Sequence, residues 1–256
     1  VGRRRVTFHA RFAAGKARVG YVAARSHRIV EIEACPVLAP ELRGALPAAR
    51  AIAVILAPRG KPLDIAVTAT LGGLDVELRG GGPLNDLETG ALIAAADAHD
   101  LARLTNHGKL IALRQAPQIE IGEATLTLPP GVFLQATQAG EETLAARVLS
   151  ATAKTQNVAD LFCGVGAFAL RLARRSQVKA YDMDAGALAA MRAAAHATPG
   201  LRALEGVARD LFTRPLSAHE LNGFDAVVFD PPRAGAAAQA AEIAQSEVPI
   251  VVAVSC

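Results

Sequence analysis

The stretch Val158-Ala159-Asp160-Leu161-Phe162-Cys163-Gly164-Val165-Gly166-Ala167-Phe168 decides how the second half of this chain folds. It is an apolar run of strand length with an acid near its end, followed by Gly-x-Gly and the start of a helical pattern. Glycine has no Cβ, so the backbone can turn sharply there and come close to a ligand. A tight strand-to-helix turn with no ligand would use the same residues, and nucleotide and flavin folds share such turns. The third glycine of a dinucleotide fingerprint is absent, and Phe168 stands two positions after Gly166.

Working outward, Pro129-Pro130-Gly131 punctuates the chain. Beyond it the pattern predicts helix 138–153, strand 157–162, helix 166–175, strand 178–182, helix 185–197, strand 201–206, strand 224–229, helix 236–245 and strand 249–254. Strands that alternate with helices imply a doubly wound, mostly parallel sheet. Four acids, Asp160, Asp182, Asp210 and Asp230, each fall at or just after a strand end. Taken singly, Asp182 or Asp210 reads as a cap or a solvated residue. As an ordered series they point to one crevice at the carboxyl ends of the sheet. Asp182 lies where an acid can accept from ribose hydroxyls, with Asp184 as a helix cap beside it, and Asp210 is placed to face an adenine.

The first half has a different grammar. Residues 3–12 and 17–34 alternate polar and apolar around Gly15, which predicts antiparallel strands. Residues 39–56 predict a helix with Leu42, Leu46, Ala49 and Ala53 on one face. Two strands follow over 63–79 around Gly72-Gly73. A second helix over 85–98 opens with Asn85 and, three positions on, Glu88, a capping-box spacing. Strands return over 110–128. Residues 1–128 are therefore expected to form a mixed antiparallel α+β domain and residues 129–256 an α/β domain.

With 256 residues, 52% of them hydrophobic and 20% charged, the chain is a globular protein and not a disordered one. No apolar run approaches the roughly 20 residues of a membrane span, and no signal peptide is present, so no membrane partner is expected. Cys35, Cys163 and Cys256 lie far apart, which excludes a disulfide framework and suits the cytoplasm. Net charge is only +3, yet residues 1–36 alone carry +6, with Arg3, Arg4 and Arg5 in a row. Such a patch suits phosphate contact as well as it suits a solvated sheet face. The chain starts at Val1 inside this basic segment and ends at Cys256 directly after a strand-like run. Both ends read as cuts, and the protein is expected to act as a monomer.

The strand Phe224–Phe229 ends in Asp230-Pro231-Pro232-Arg233-Ala234-Gly235, and one strand later the chain reads Val254-Ser255-Cys256. This combination resembles the RNA uracil-C5 methyltransferases, which make 5-methyluridine. Gly131-Val132-Phe133-Leu134-Gln135-Ala136-Thr137 is similar to the family segment before the cofactor domain, and Asp160–Gly166 to its cofactor loop. Arg3-Arg4-Arg5, Ser26-His27-Arg28 and Cys35-Pro36-Val37-Leu38 resemble the central domain of the 23S ribosomal RNA members. The resemblance implies a Rossmann-like class I methyltransferase domain that binds S-adenosyl-L-methionine. It places Gln135, Phe162, Gly164, Asp182, Asp210 and Asp230 at the cofactor, Cys256 as nucleophile with Asp230 beside it in the catalytic set, and Arg3, Arg4 and Arg5 on RNA. It makes Cys35 the last of four cysteines of a 4Fe-4S cluster; one cysteine cannot hold such a cluster, and a buried structural thiol is the competing reading. Ala167 stands where some members carry a polar cofactor contact.

The chemistry accounts for a cysteine at the end of that strand. C5 of uracil is a weak nucleophile. A thiolate adding to C6 turns C5 into an enolate carbon able to attack a sulfonium methyl, after which a base removes the C5 proton and the thiol is eliminated. The target base must leave its stack to be reached. The resemblance places an RNA-binding barrel upstream and an Asn-Pro pair and a Glu base downstream of the chain. Three alternatives stay open: the same reaction on transfer RNA, amino-group methylation, which Arg233 in place of an aromatic disfavours, and a non-catalytic RNA-binding remnant.

Overall fold

A computed structural model describes residues 2–13 and 15–254, and the chain divides into two compact units. The first runs to Gln118 and includes Ala136–Gln138; the second comprises Ile119–Gln135 and the chain from Ala139 onward.

The first unit is built on a seven-stranded sheet. Its strands in chain order are β1 (Arg5–Ala13), β2 (Lys16–Val22), β3 (Ile29–Glu31), β4 (Leu63–Thr70), β5 (Gly73–Arg79), β6 (Leu101–Asn106) and β7 (Lys109–Leu113), and the spatial order is β3-β2-β1-β4-β5-β6-β7. All neighbours are antiparallel except β5 and β6, which helix α2 (Asp86–Ala98) connects. Helix α1 (Ala45–Leu56) follows a short 3-10 turn, Pro40–Leu42, and buries Leu46, Ala49, Ile52 and Ala53. The capping box is formed: Asn85 accepts from the Glu88 amide and Glu88 from the Asn85 amide, each at 2.9 Å.

Two elements differ from the pattern reading. The expected strand 17–34 breaks into β2 and β3 around a turn in which Arg25 has φ +53° and Ala23 donates its amide to Arg28. The strand β6 carries no alternation because every one of its residues is buried. Its polar groups are satisfied inside the sheet: Arg103 makes two 2.8 Å bonds to Asp75, and Thr105 donates to Glu77. Fully buried strands lose the polar half of the period-two signal.

In the second unit the hairpin β8 (Gln118–Ile121) and β9 (Ala124–Thr127) leads to helix α3 (Gln138–Ala151). There follow β10 (Asn157–Leu161), α4 (Ala169–Leu172), β11 (Gln177–Asp182), α5 (Ala185–Ala197), β12 (Leu204–Ala208), α6 (Ala218–Leu221), β13 (Ala226–Phe229), α7 (Ala237–Gln245) and β14 (Ile250–Ala253). Strands β10 to β14 form one all-parallel sheet in the order β12-β11-β10-β13-β14. The chain thus steps outward from β10 to β12, then returns to β13 on the other side. That reversal makes a topological switch point between β10 and β13.

Alternation sorts the buried residues of this sheet onto two faces. Val158, Val178, Ala180, Ala226 and Val228 join one apolar layer with Phe168, Leu188 and Met191. Ala159, Leu161, Tyr181 and Val227 join the other with Leu211, Leu216 and Leu221. The expected helix 166–175 contracts to α4 flanked by turns. Arg171 from α4 is buried and holds Glu141 of α3 at 3.2 Å, Glu142 at 2.6 Å and the Ala167 carbonyl at 2.6 Å.

Candidate cofactor and nucleotide site

The crevice at the switch point begins with Phe162, which follows β10 with φ +62°, a left-handed conformation that a bulky side chain rarely adopts. Its cost is of order 1–3 kcal/mol, met by the surrounding packing. The turn aims the Cys163 amide at the Tyr181 carbonyl and starts the glycine loop. Gly164 has φ +54° and open space where a Cβ would project. Gly166 has φ +87°, and a Cβ there would lie 2.6 Å from the Met191 side chain. The first glycine leaves the loop open toward the crevice; the second lets the loop pack on α5.

Asp182 closes the next strand and organises this loop. Its Oδ2 accepts from the Gly164 amide at 2.8 Å and its Oδ1 from the Asp184 amide at 2.9 Å. Asp184 caps α5, accepting from the amides of Gly186 and Ala187. A carboxylate oxygen has two lone pairs, so Asp182 can accept hydroxyl protons in addition to these amides.

Asp210 follows β12 and folds its own loop. It accepts from the Phe212 amide and from the amide and hydroxyl of Thr213, and these donors, the Thr213 hydroxyl foremost, hold its carboxyl below the ordinary range. Phe212 itself stands 5.3 Å, centroid to centroid, from Phe162, and Phe229 stands 6.0 Å from Phe162 on another strand. These three rings form an apolar wall suited to a flat ring system. Pattern reading singled out Phe162 alone. The Asp-x-Phe spacing of Asp210 and Phe212 was the available signal, but only the sheet order brings Phe229 alongside.

Asp230 follows β13, and the Gln135 side-chain amide lies 3.5 Å from its Oδ2. Burial raises its carboxyl to about 6. After Asp230, the Pro232 carbonyl accepts from the Gly235 amide and turns the chain toward α7. The Val254 amide, at the end of the neighbouring strand, donates to Phe229. Cys256 lies outside the described residues.

Gln135, Phe162, Gly164, Asp182 and Asp230 thus come together around the ends of β10, β11 and β13, with Asp210 one strand further out. Cys163 is buried packing; burial, then Asp160 and Asp182, push its thiol well up. The other predicted residues belong to the first unit. Arg3 is exposed, Arg4 is buried and Arg5 is half-buried, so the three do not share one solvent face. Cys35 is half-buried and acts on the Tyr21 hydroxyl, which burial and this neighbour raise to about 12. Among the described residues, no group of three or more His, Cys, Asp or Glu side chains could hold a metal ion. One thiol does not meet the four-cysteine requirement of an iron–sulfur cluster. No described helix is long and apolar enough to cross a membrane.

The sheet order, the glycine loop and the row of carboxylates define a Rossmann-like class I methyltransferase domain preceded by an α+β domain. The comparisons agree and narrow the class. The family model "Methyltransferase small domain" matches residues 123–248. A protein of Brucella melitensis named an RNA methyltransferase is 46% identical over 254 residues, which is 99% of this chain and 61% of the relative. The 23S rRNA (uracil(1939)-C(5))-methyltransferase of Salmonella typhi is 33% identical over 93% of this chain and 57% of its own length. In fold, the chain matches the Pyrococcus abyssi tRNA (uracil-54, C5)-methyltransferase, solved with S-adenosyl-L-homocysteine, at TM-score 0.76 and 19% identity, over 99% of this chain and 65% of that one. Over nearly its whole length the chain is similar to RNA methyltransferases, one of them acting on uracil C5 of 23S rRNA. It spans about three fifths of the length of the curated relatives it matches.

Proposed function

We propose that this protein methylates C5 of a uridine in RNA, with 23S ribosomal RNA as the substrate class, using S-adenosyl-L-methionine. The observation that carries the reading is the convergence of an open glycine loop, an aromatic wall and three carboxylates at one switch point. That donor set suits a nucleoside with a cationic tail: hydroxyl acceptors, a flat apolar face and negative charge. Asp182 accepts from the ribose, the Phe162–Phe212 pair packs on the adenine beside Asp210, and Gln135 and Asp230 face the sulfonium end. Bound there, S-adenosyl-L-methionine supplies an electrophilic methyl group.

This chain's own residues carry the addition to the ring. The Cys256 thiolate adds to C6 of uracil and makes C5 nucleophilic; once C5 carries the methyl group, a general base that is not assigned to any residue of this chain takes the C5 proton, and the thiolate is eliminated. Asp230, which opens the Asp-Pro-Pro turn, positions the pyrimidine edge. The basic surface of the first unit, Arg3 and Arg5 included, neutralises phosphates. A cytoplasmic monomer is the working form. The test is incubation with methyl-labelled S-adenosyl-L-methionine and ribosomal or transfer RNA, followed by nucleoside analysis. Label in 5-methyluridine from 23S RNA is the expected result. Label in an N-methylated nucleoside, or in transfer RNA alone, would displace the reading.

A further inference from the structure

Asp160 has no task in the scheme above, yet it is the most anomalous side chain in the unit. It is 0% exposed, and neither carboxyl oxygen has a hydrogen-bond partner among the described residues. Buried carboxyls are ordinarily paired or bonded, because an isolated charge is costly away from water. The sheet register explains what surrounds it. Asp160 pairs across with Ala180 of β11 and Val228 of β13. By alternation, the residues two steps further along those strands, Asp182 and Asp230, project to the same face as Asp160. Asp160 therefore lies just beneath two carboxylates of the crevice. Burial acts on it most, then the charge of Asp230, both against ionisation; the Ala169 amide of α4, which makes no hydrogen bond of ordinary geometry to it, acts the other way, and Asp182, weaker still, again opposes ionisation. The remaining titratable neighbour, the Cys163 thiol, is itself neutral.

We propose that Asp160 senses charge behind the crevice: it carries a proton while no cation is present and releases it when the sulfonium of S-adenosyl-L-methionine docks. This deepens the reading given above and rests on the crevice being the cofactor site. The balance is simple. Docking of the cation breaks the Asp160 O–H bond and sends one proton to solvent. Methyl transfer converts the sulfonium to a neutral thioether, the extra positive charge is gone, and the carboxylate takes a proton back from solvent. No electrons move. The consequence is discrimination: the ionised carboxylate favours the cofactor, and the neutral product, bound beside a protonated Asp160, gains no such advantage.

Isothermal titration of the protein with S-adenosyl-L-methionine and, separately, with S-adenosyl-L-homocysteine tests this. Each titration is run in buffers of different ionisation enthalpy at a series of pH values above 7, where Asp230, raised to about 6, is already ionised with either ligand. The cofactor should release up to about one proton more than the product, and the ratio of their affinities should rise by up to about tenfold per pH unit across the window. In Asp160→Asn the proton counts should become equal and the ratio flat, whereas a merely structural side chain would leave both differences in place. Equal counts in the wild type, or a difference that survives in Asp160→Asn, would overturn the proposal. If that variant does not fold, the infrared difference spectrum of the wild type decides. Loss of a protonated-carboxyl band with the cofactor but not with the product supports it; no loss refutes it. Failure of both ligands to bind is a separate outcome that removes the cofactor reading itself.

Discussion

The Gly164 amide donates to Asp182 Oδ2 at 2.8 Å, so the loop after one strand is tied to the acid that ends the next. In the proposed reading, one side chain thereby carries both loop shape and ribose recognition. Asp182→Ala leaves the amides of Gly164 and Asp184 without their acceptor. Affinity for S-adenosyl-L-homocysteine should fall about tenfold or more, as expected for a hydrogen bond to a charged group. Calorimetry that finds the affinity unchanged would remove Asp182 from the cofactor set.

Asp230 makes a pH-dependent contribution to stability. Burial raises its carboxyl to about 6, from 3.8, so the folded chain binds more protons at this group than the unfolded chain between those values. Its contribution is therefore most favourable in acid and declines as pH rises from about 4 to about 6, then stays level. Asp230→Asn removes this decline. The variant's melting temperature relative to wild type should climb through that interval and plateau above it. A difference that is constant with pH would show that Asp230 is not held protonated.

In the proposed reaction Cys256 acts on the uracil ring and not on the methyl donor. Cys256→Ala should abolish methyl transfer yet leave binding of S-adenosyl-L-homocysteine close to wild type. RNA carrying 5-fluorouridine should trap the wild-type protein, because fluorine at C5 cannot leave as a proton and elimination stalls. A slower-migrating protein–RNA band under denaturing conditions is the readout. Its persistence in Cys256→Ala would assign the nucleophile elsewhere.

Burial divides the arginine run. Arg4 is buried and bonded, so its replacement would test folding and not RNA. Arg3 and Arg5 replaced together by Ala should weaken RNA binding and reduce the slope of log K against log salt by about 0.7–0.9 for each phosphate that is no longer neutralised. A salt slope equal to wild type would mark this surface as solvated only.

Local chemistry was legible in the sequence. The Asn85–Glu88 capping box, the strand–glycine–helix turn at Val158–Phe168 and the alternation of strands with helices each depend on neighbours along the chain, and each formed. What the tertiary structure decided is everything that depends on sheet order. The strand Leu101–Asn106 is invisible to period-two reading because both its faces are buried, with Arg103 satisfied by Asp75 from another strand. Phe229 reaches Phe162 because β13 returns beside β10. Arg3 and Arg4 look alike in sequence, and only the fold buries one and exposes the other. Asp160, Asp182 and Asp230 each read as an acid at a strand end. Register and alternation put them on one face, and depth in the sheet buries Asp160 completely beneath the other two.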